Sequence, residues 1–163
     1  MVTEMDRPFR GMDLPKHCLR LLAAVIAAGS AACGAAFGVG WAGKPYSVAI
    51  PTHFTARSQA LSGSVGMTLD HNNGSIQASV AQAGNEVLSG AGDTLATQYM
   101  LTGARLQNGD SSWVGSSAFL TKTYSVLGAD VSTVTLSVRG TSASNRANNA
   151  GAYSASIILT YTW

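Results

Sequence analysis

A period of two in the apolar residues constrains this chain more than any other feature. In the final run Tyr153, Ala155, Ile157, Leu159, Tyr161 and Trp163 take alternate positions, with Ser154, Ser156, Thr160 and Thr162 between them and Ile158 as the exception. Successive side chains of a strand point to opposite faces, so this spacing makes one apolar face in a strand and none in a helix. The alternation recurs in Tyr46-Val48-Ile50, Val65-Met67-Leu69, Ile76-Ala78-Val80, Leu95-Thr97-Tyr99-Leu101 and Val134-Leu136-Val138, with a less regular run over 119–126. Turn residues separate the runs: Asn72-Asn73-Gly74, Gly90-Ala91-Gly92-Asp93, Asn108-Gly109-Asp110, Gly128-Ala129-Asp130 and the stretch 145–151. Asn-Gly tolerates the positive φ of a tight turn, so Asn73-Gly74 predicts a hairpin between its flanking runs. About seven short strands with turns between them predict an all-β fold, an antiparallel immunoglobulin-like β-sandwich.

The N-terminal part has a different character. Arg7, Arg10, Lys16 and Arg20 precede an apolar stretch that runs to Phe37, and small residues lead on to Gly40-Trp41-Ala42. Basic, apolar and small in that order predict a secretory signal peptide, helical in its apolar part and cleaved after Ala42 or near Ala36. Met12 offers a second start that gives a leader of more usual length. Two alternatives stay open. The apolar stretch is close to the ~20 residues that span a bilayer, though rich in Ala and Gly. Cys33 could be acylated, though Ser30-Ala31-Ala32 lacks the expected large aliphatic residue. The expected division is therefore a leader over 1–42 and one β domain over 43–163. Both cysteines, Cys18 and Cys33, fall in the leader, so the exported domain must hold itself by packing or association rather than by disulfides. From Gly43 onward six basic and five acidic side chains nearly balance, and no basic field invites nucleic acid.

Nothing in the motifs predicts catalysis, a cofactor or a metal. His53 and His71 have no neighbouring Glu or Cys at metal-ligand spacing. Gly63-Ser64-Val65-Gly66 lacks the spacing of a nucleophile elbow. Asp70-His71-Asn72-Asn73-Gly74 reads as a strand ending in a polar turn. Trp113, among turn residues, either caps the end of a core or stacks on a ligand. A carbohydrate-binding module would need exposed aromatics aligned on one face, for which Trp113 and Tyr124 are the candidates.

Two exported classes end on a strand like the last one. An outer-membrane barrel ends on an alternating strand with a terminal aromatic, as at Trp163, but needs strands of ~9–11 residues throughout. The second class fits more of the chain. The segment from Gly151 to Tyr161 resembles the terminal strand of chaperone–usher pilins and spore-coat-U-like subunits. The segments 93–101 and 134–140 resemble two upstream strands of spore-coat-U-like domains. Tyr161 stands third from the end rather than penultimate, and the paired cysteines of many such subunits are missing. The size, the final strand and the Ser/Thr/Asn-rich turns are also similar to holdfast-anchor subunits of stalked α-proteobacteria. The resemblance implies a surface protein of a Gram-negative bacterium, associated with the outer membrane. It implies a homo-polymer with a secretion or anchoring partner and a surface polysaccharide to hold.

An apolar strand at a sheet edge wants a partner for its backbone, and an extended segment of a neighbour can supply one. The acceptor groove is then expected along Gly151, Tyr153, Ile157, Leu159, Tyr161 and Trp163. The expected donor is Tyr46, Val48 and Ile50 in a free arm over 43–56. The plainer alternative is that the same segment is an ordinary first strand of its own sheet.

Overall fold

A computed structural model of the chain describes residues 25–28, 39–50, 56–90, 92–149 and 151–163. The elements are β1 (Val25–Ala28), β2 (Gly40–Ala42), β3 (Tyr46–Ser47), β4 (Ala60–His71), β5 (Gly74–Ser79), β6 (Ser89–Gly90), β7 (Asp93–Thr94), β8 (Ala96–Gly103), β9 (Val114–Gly115), α1 (Ser116–Thr121), β10 (Thr123–Val126), β11 (Asp130–Thr141) and β12 (Ser156–Thr162). One five-stranded sheet has the order β10-β5-β12-β1-β3, the other β2-β4-β11-β8-β9, and β6-β7 is a separate hairpin. The fold is all-β and sandwich-like, antiparallel except where β1 runs parallel to β12. Among the described residues there are twelve strands, seven of them with four residues or more. Of these seven, β4, β5, β8, β11 and β12 fall on alternating runs, β10 on the end of the less regular one and β1 on none. The Tyr46-Val48-Ile50 run forms only the two-residue β3.

The second sheet is built on β11, paired along its length with β4 and from Val134 to Thr141 with β8. Alternation decides which side chains are shared between the sheets. Met67, Leu69, Leu101, Val134, Leu136 and Val138 point inward and are at most 3% exposed. Ser62, Ser64, Thr68, Thr135 and Ser137, one position away, point outward. From the other sheet Ile76, Ala78, Ile157, Leu159 and Tyr161 meet them. Each fully buried large apolar side chain contributes about 1.5–3 kcal/mol, and these rows supply most of the stability of a domain without disulfides.

The hairpin expected at Asn73-Gly74 does not form, because β4 and β5 lie in different sheets. The turn there carries the chain from one layer to the other, and Gly74 is not in the left-handed region. Its role is close approach. A Cβ on Gly74 would sit 2.4 Å from the Thr162 carbonyl oxygen and 2.7 Å from the Tyr161 ring. The two-residue hairpin falls instead between β6 and β7, where Gly92 has φ of 73°. The irregular run over 119–126 divides into α1 and β10.

Two devices close the open sides of the sandwich. On the side of β9 and β10, α1 inserts Phe119 between Tyr99, at 5.0 Å between ring centroids, and Tyr124, at 5.9 Å. On the opposite side the segment 39–50 passes from β2, paired to β4, across Gly43 to β3 at the edge of the other sheet.

Candidate assembly surface

The terminal strand β12 has a sheet neighbour on each side. On one side it pairs antiparallel with β5, from Ile158↔Ser79 to Thr162↔Ser75. On the other it pairs parallel with β1, from Val25↔Ser156 to Ala28↔Leu159. β1 also pairs antiparallel with β3 through Val25↔Ser47 and Ile26↔Tyr46. Most of the expected leader lies outside the described residues, among them Met12, Cys18, Cys33 and Ala36. Of its apolar part the structure describes β1, which is extended where a helix is expected, because the edge of β12 offers it a ladder. β1 lies upstream of both expected cleavage points. Without it, β12 and β3 would flank a gap one strand wide, roughly 10 Å at the usual interstrand spacing of about 4.8 Å.

The side chains expected to line an acceptor groove are already used. Tyr153, Ile157, Leu159 and Tyr161 are at most 6% exposed and belong to the core of their own domain. Tyr153 donates its hydroxyl to the Asn149 carbonyl at 2.7 Å. The Tyr161 hydroxyl accepts from the Asn72 N–H at 3.0 Å and donates to the Asn72 carbonyl at 2.8 Å, tying the strand to the β4–β5 crossing. Burial raises the Tyr161 phenol above its usual pKa. Gly151, at φ 153°, takes the bend before the strand. Trp163 is 44% exposed and stacks on Tyr161 at 5.6 Å. What β12 could offer a partner is therefore a backbone edge rather than an open trough of side chains.

The expected donor arm is docked on its own body. The Tyr46 hydroxyl accepts from the Thr68 N–H at 3.1 Å and donates to the Ala42 carbonyl. Val48 is 2% exposed, and Ile50 is half-buried against the core. Gly63 lets the arm lie this close: a Cβ there would fall 2.1 Å from the Ala49 carbonyl oxygen. The rest of the arm, 51–55 with His53, lies outside the described residues. Upstream, Trp41 is 5% exposed and pairs with Leu69, so cleavage after Ala42 would remove a core residue and all of β2, whereas cleavage near Ala36 keeps both.

Sequence reasoning missed the most concentrated polar cluster. Asp110, placed in a turn by the Asn108-Gly109-Asp110 pattern, is 8% exposed. Its N–H donates to the Leu101 carbonyl at 2.8 Å, and its carboxylate accepts from the Leu101 N–H at 2.8 Å and the Tyr124 hydroxyl at 2.7 Å. Lys122 donates to the other carboxylate oxygen and lies 4.8 Å from the Tyr124 ring centroid. Tyr124, a candidate for ligand stacking, is thus wholly buried, and burial together with the Asp110 carboxylate holds its phenol far above the usual pKa. Nothing local in the sequence signals this, because Lys122 and Tyr124 reach Asp110 only through α1 and β10.

The remaining polar groups tie loops down. His71 is 1% exposed, with Nδ1 3.0 Å from the Gly128 carbonyl and Nε2 2.8 Å from the Ser132 hydroxyl, so it braces the β10–β11 turn. Among the described residues no group of three metal-ligating side chains comes together. Arg146 donates to both oxygens of Asp93 at 2.7 and 2.9 Å, and Asn148 adds a third bond at 2.9 Å, clamping the loop after β11 to β7. The Arg146 hydrogen bonds hold the Asp93 carboxyl at about 2, against 3.8 for an unperturbed Asp. A depressed folded-state pKa contributes stability above the unfolded value and loses it as pH falls through the folded one. The clamp is therefore expected to persist at pH 4 and open as pH falls toward 2. NMR titration of the Asp93 carboxyl carbon checks this, and a midpoint near 4 would contradict the clamp.

Trp113 neither caps the core end nor stands free. It is half-buried on the outer side of the second sheet, with the Arg139 guanidinium 4.7 Å from its ring centroid.

No protein family, curated protein or solved structure matches the chain.

Proposed function

We propose that the chain is an exported surface subunit that joins copies of itself by strand addition, anchoring cells or an adhesive polysaccharide to the envelope. The observation that carries this reading is the neighbour of β12. The strand that completes its edge, β1, belongs to the segment expected to be removed on export. A mature chain beginning near Phe37 would keep β2 and Trp41 but would leave backbone donors and acceptors of 156–159 unpaired beside β3. An unpaired edge of this kind takes up an extended segment of another chain. The arm 44–50 of a neighbouring copy is the donor we favour. Its docked position on its own body is then the closed form, and release into a neighbour exchanges one site for the other.

A lipid-facing barrel is the weaker reading, since the outward positions of β4 and β11 are mostly Ser, Thr and Gly, whereas lipid-facing strands carry apolar residues there. The carbohydrate-module reading loses Tyr124 to the core.

The test is the assembly state of the mature protein. Chains starting at Phe37 should form concentration-dependent oligomers by analytical ultracentrifugation and resist SDS without boiling. Tyr46→Asp combined with Ile50→Asp should leave a folded monomer and abolish the oligomers. A wild-type mature chain that stays monomeric at high concentration would overturn the proposal.

A further inference from the structure

Among the described residues, the outward face of the second sheet carries mostly small polar side chains. The registers place Ser62, Arg139 and Gln98 in one row across β4, β11 and β8, with Ser64 and Ser137 in the next row. Gln98 also faces Gly115 of β9, which sets Trp113, two residues earlier, beside this grid. Arg139 is fixed in place. Its Nε donates to the Gln98 Oε1 at 3.0 Å, Nη2 donates to the same oxygen, and the guanidinium carbon lies 4.7 Å from the Trp113 ring centroid. These bonds leave both Nη1 hydrogens and the second Nη2 hydrogen for a ligand, so the Nη1–Nη2 edge can meet both oxygens of a carboxylate. Among the outward residues of β4 from Ala60 to Gly66, β8 from Ala96 to Thr102 and β11 from Thr135 to Thr141, Arg139 carries the only charge.

We infer that this face binds an acidic polysaccharide, with a sugar ring packed on the exposed part of Trp113 and a uronate carboxylate on Arg139. An aromatic ring with hydroxyls and an amide beside it suits a pyranose, which presents an apolar C–H face and a rim of hydroxyls. A preset guanidinium edge suits a planar carboxylate, and a lone cation with no acid in its part of the face selects for an anion. The grid lies on a sheet face, so it suits a long chain that makes repeated weak contacts rather than a single small sugar. In an assembled fibre such faces would repeat, and linked contacts raise avidity without any new interaction. The inference extends the anchoring reading by giving the polysaccharide its own site, on the sheet that does not contain β12.

The experiment is co-sedimentation and calorimetry of the mature protein with polygalacturonate, with dextran as the neutral control. Wild type should bind polygalacturonate at least tenfold more tightly than dextran, and added salt should weaken that binding. Trp113→Ala should lose tenfold or more for both polymers, and Trp113→Tyr should retain most binding. Arg139→Gln should remove the preference for the acidic polymer and its salt dependence. Thermal unfolding of each variant separates a lost site from a lost fold. The assembly state is measured on the same samples, and all three variants should assemble as wild type does. Oligomers without polygalacturonate binding would overturn this inference and leave strand addition standing. Binding by a chain that never assembles would do the reverse. Equal binding by wild type, Trp113→Ala and Arg139→Gln, or equal binding of dextran, would also overturn it.

Discussion

Replacing Asp110 by alanine should lower the unfolding free energy by about 3 kcal/mol, the largest loss expected from any single polar side chain here. The carboxylate satisfies three donors at once: the Leu101 N–H, the Tyr124 hydroxyl and the Lys122 ammonium. Removing it strands the first two in a dry environment, where an unsatisfied buried group costs about 1–3 kcal/mol. Lys122 is 33% exposed and can turn to water, so its share is the smallest. Asp110→Asn keeps an acceptor and should cost less. In a Tyr124→Phe background the penalty of Asp110→Ala should shrink by about 1 kcal/mol, because one stranded donor is already gone. Urea unfolding followed by circular dichroism reads these differences. A loss below about 1 kcal/mol for Asp110→Ala would mean that the loop 104–113 rehydrates without cost and that the cluster is not buried in solution.

The second large effect concerns Gly63. A methyl group there would meet the Ala49 carbonyl oxygen at 2.1 Å, the Ala49 carbonyl carbon at 3.1 Å and Val48 Cγ1 at 3.0 Å. Two of these are backbone atoms that no rotamer change can move. Gly63→Ala should therefore expel the arm while leaving the ladders of β4, β11 and β8 intact. The direct cost is the burial of Val48, about 1.5–3 kcal/mol. Limited proteolysis should cut within 43–50 in Gly63→Ala and spare it in wild type. If the arm is the donor, freeing it should also shift the chain starting at Phe37 toward oligomers at concentrations where the same chain without the substitution is still largely monomeric. An arm that becomes protease-sensitive without any gain in assembly would rule it out as the donor. An arm that stays protected would show that β4 yields instead.

Much of the fold was legible because burial in a strand follows a period of two. Met67, Leu69, Tyr99, Leu101, Leu136 and Leu159 were all placed inward by alternation alone, and all are at most 1% exposed. Pairing was not legible. Asn73-Gly74 has the residues of a hairpin turn, and a hairpin and a crossing between layers begin with the same few residues. What distinguishes them is where the next strand finds a ladder, and β5 finds it between β10 and β12. Gly74 and Gly63 are needed for contacts with segments far along the chain, which no local pattern encodes. The candidate site divides the same way. The terminal strand was recognisable, but its side chains were expected to be short of partners. Those side chains are buried in their own core, the edge of the strand is paired to β1, and the arm expected to hang free is held by Tyr46 and Val48.

The sequence by itself therefore determined the class: alternation and turn residues dictate strands, and 43–163 lacks cysteine, so the sandwich stands on packing. Only the tertiary structure decided which strands are neighbours, that Asp110 makes its loop a buried hub, and that Trp113 and Arg139 share one face. The reason is range. Which face a side chain takes is a property of one strand and its nearest residues, whereas strand neighbours, close approaches and shared charges join residues tens of positions apart, and these exist only once the two sheets have closed on each other.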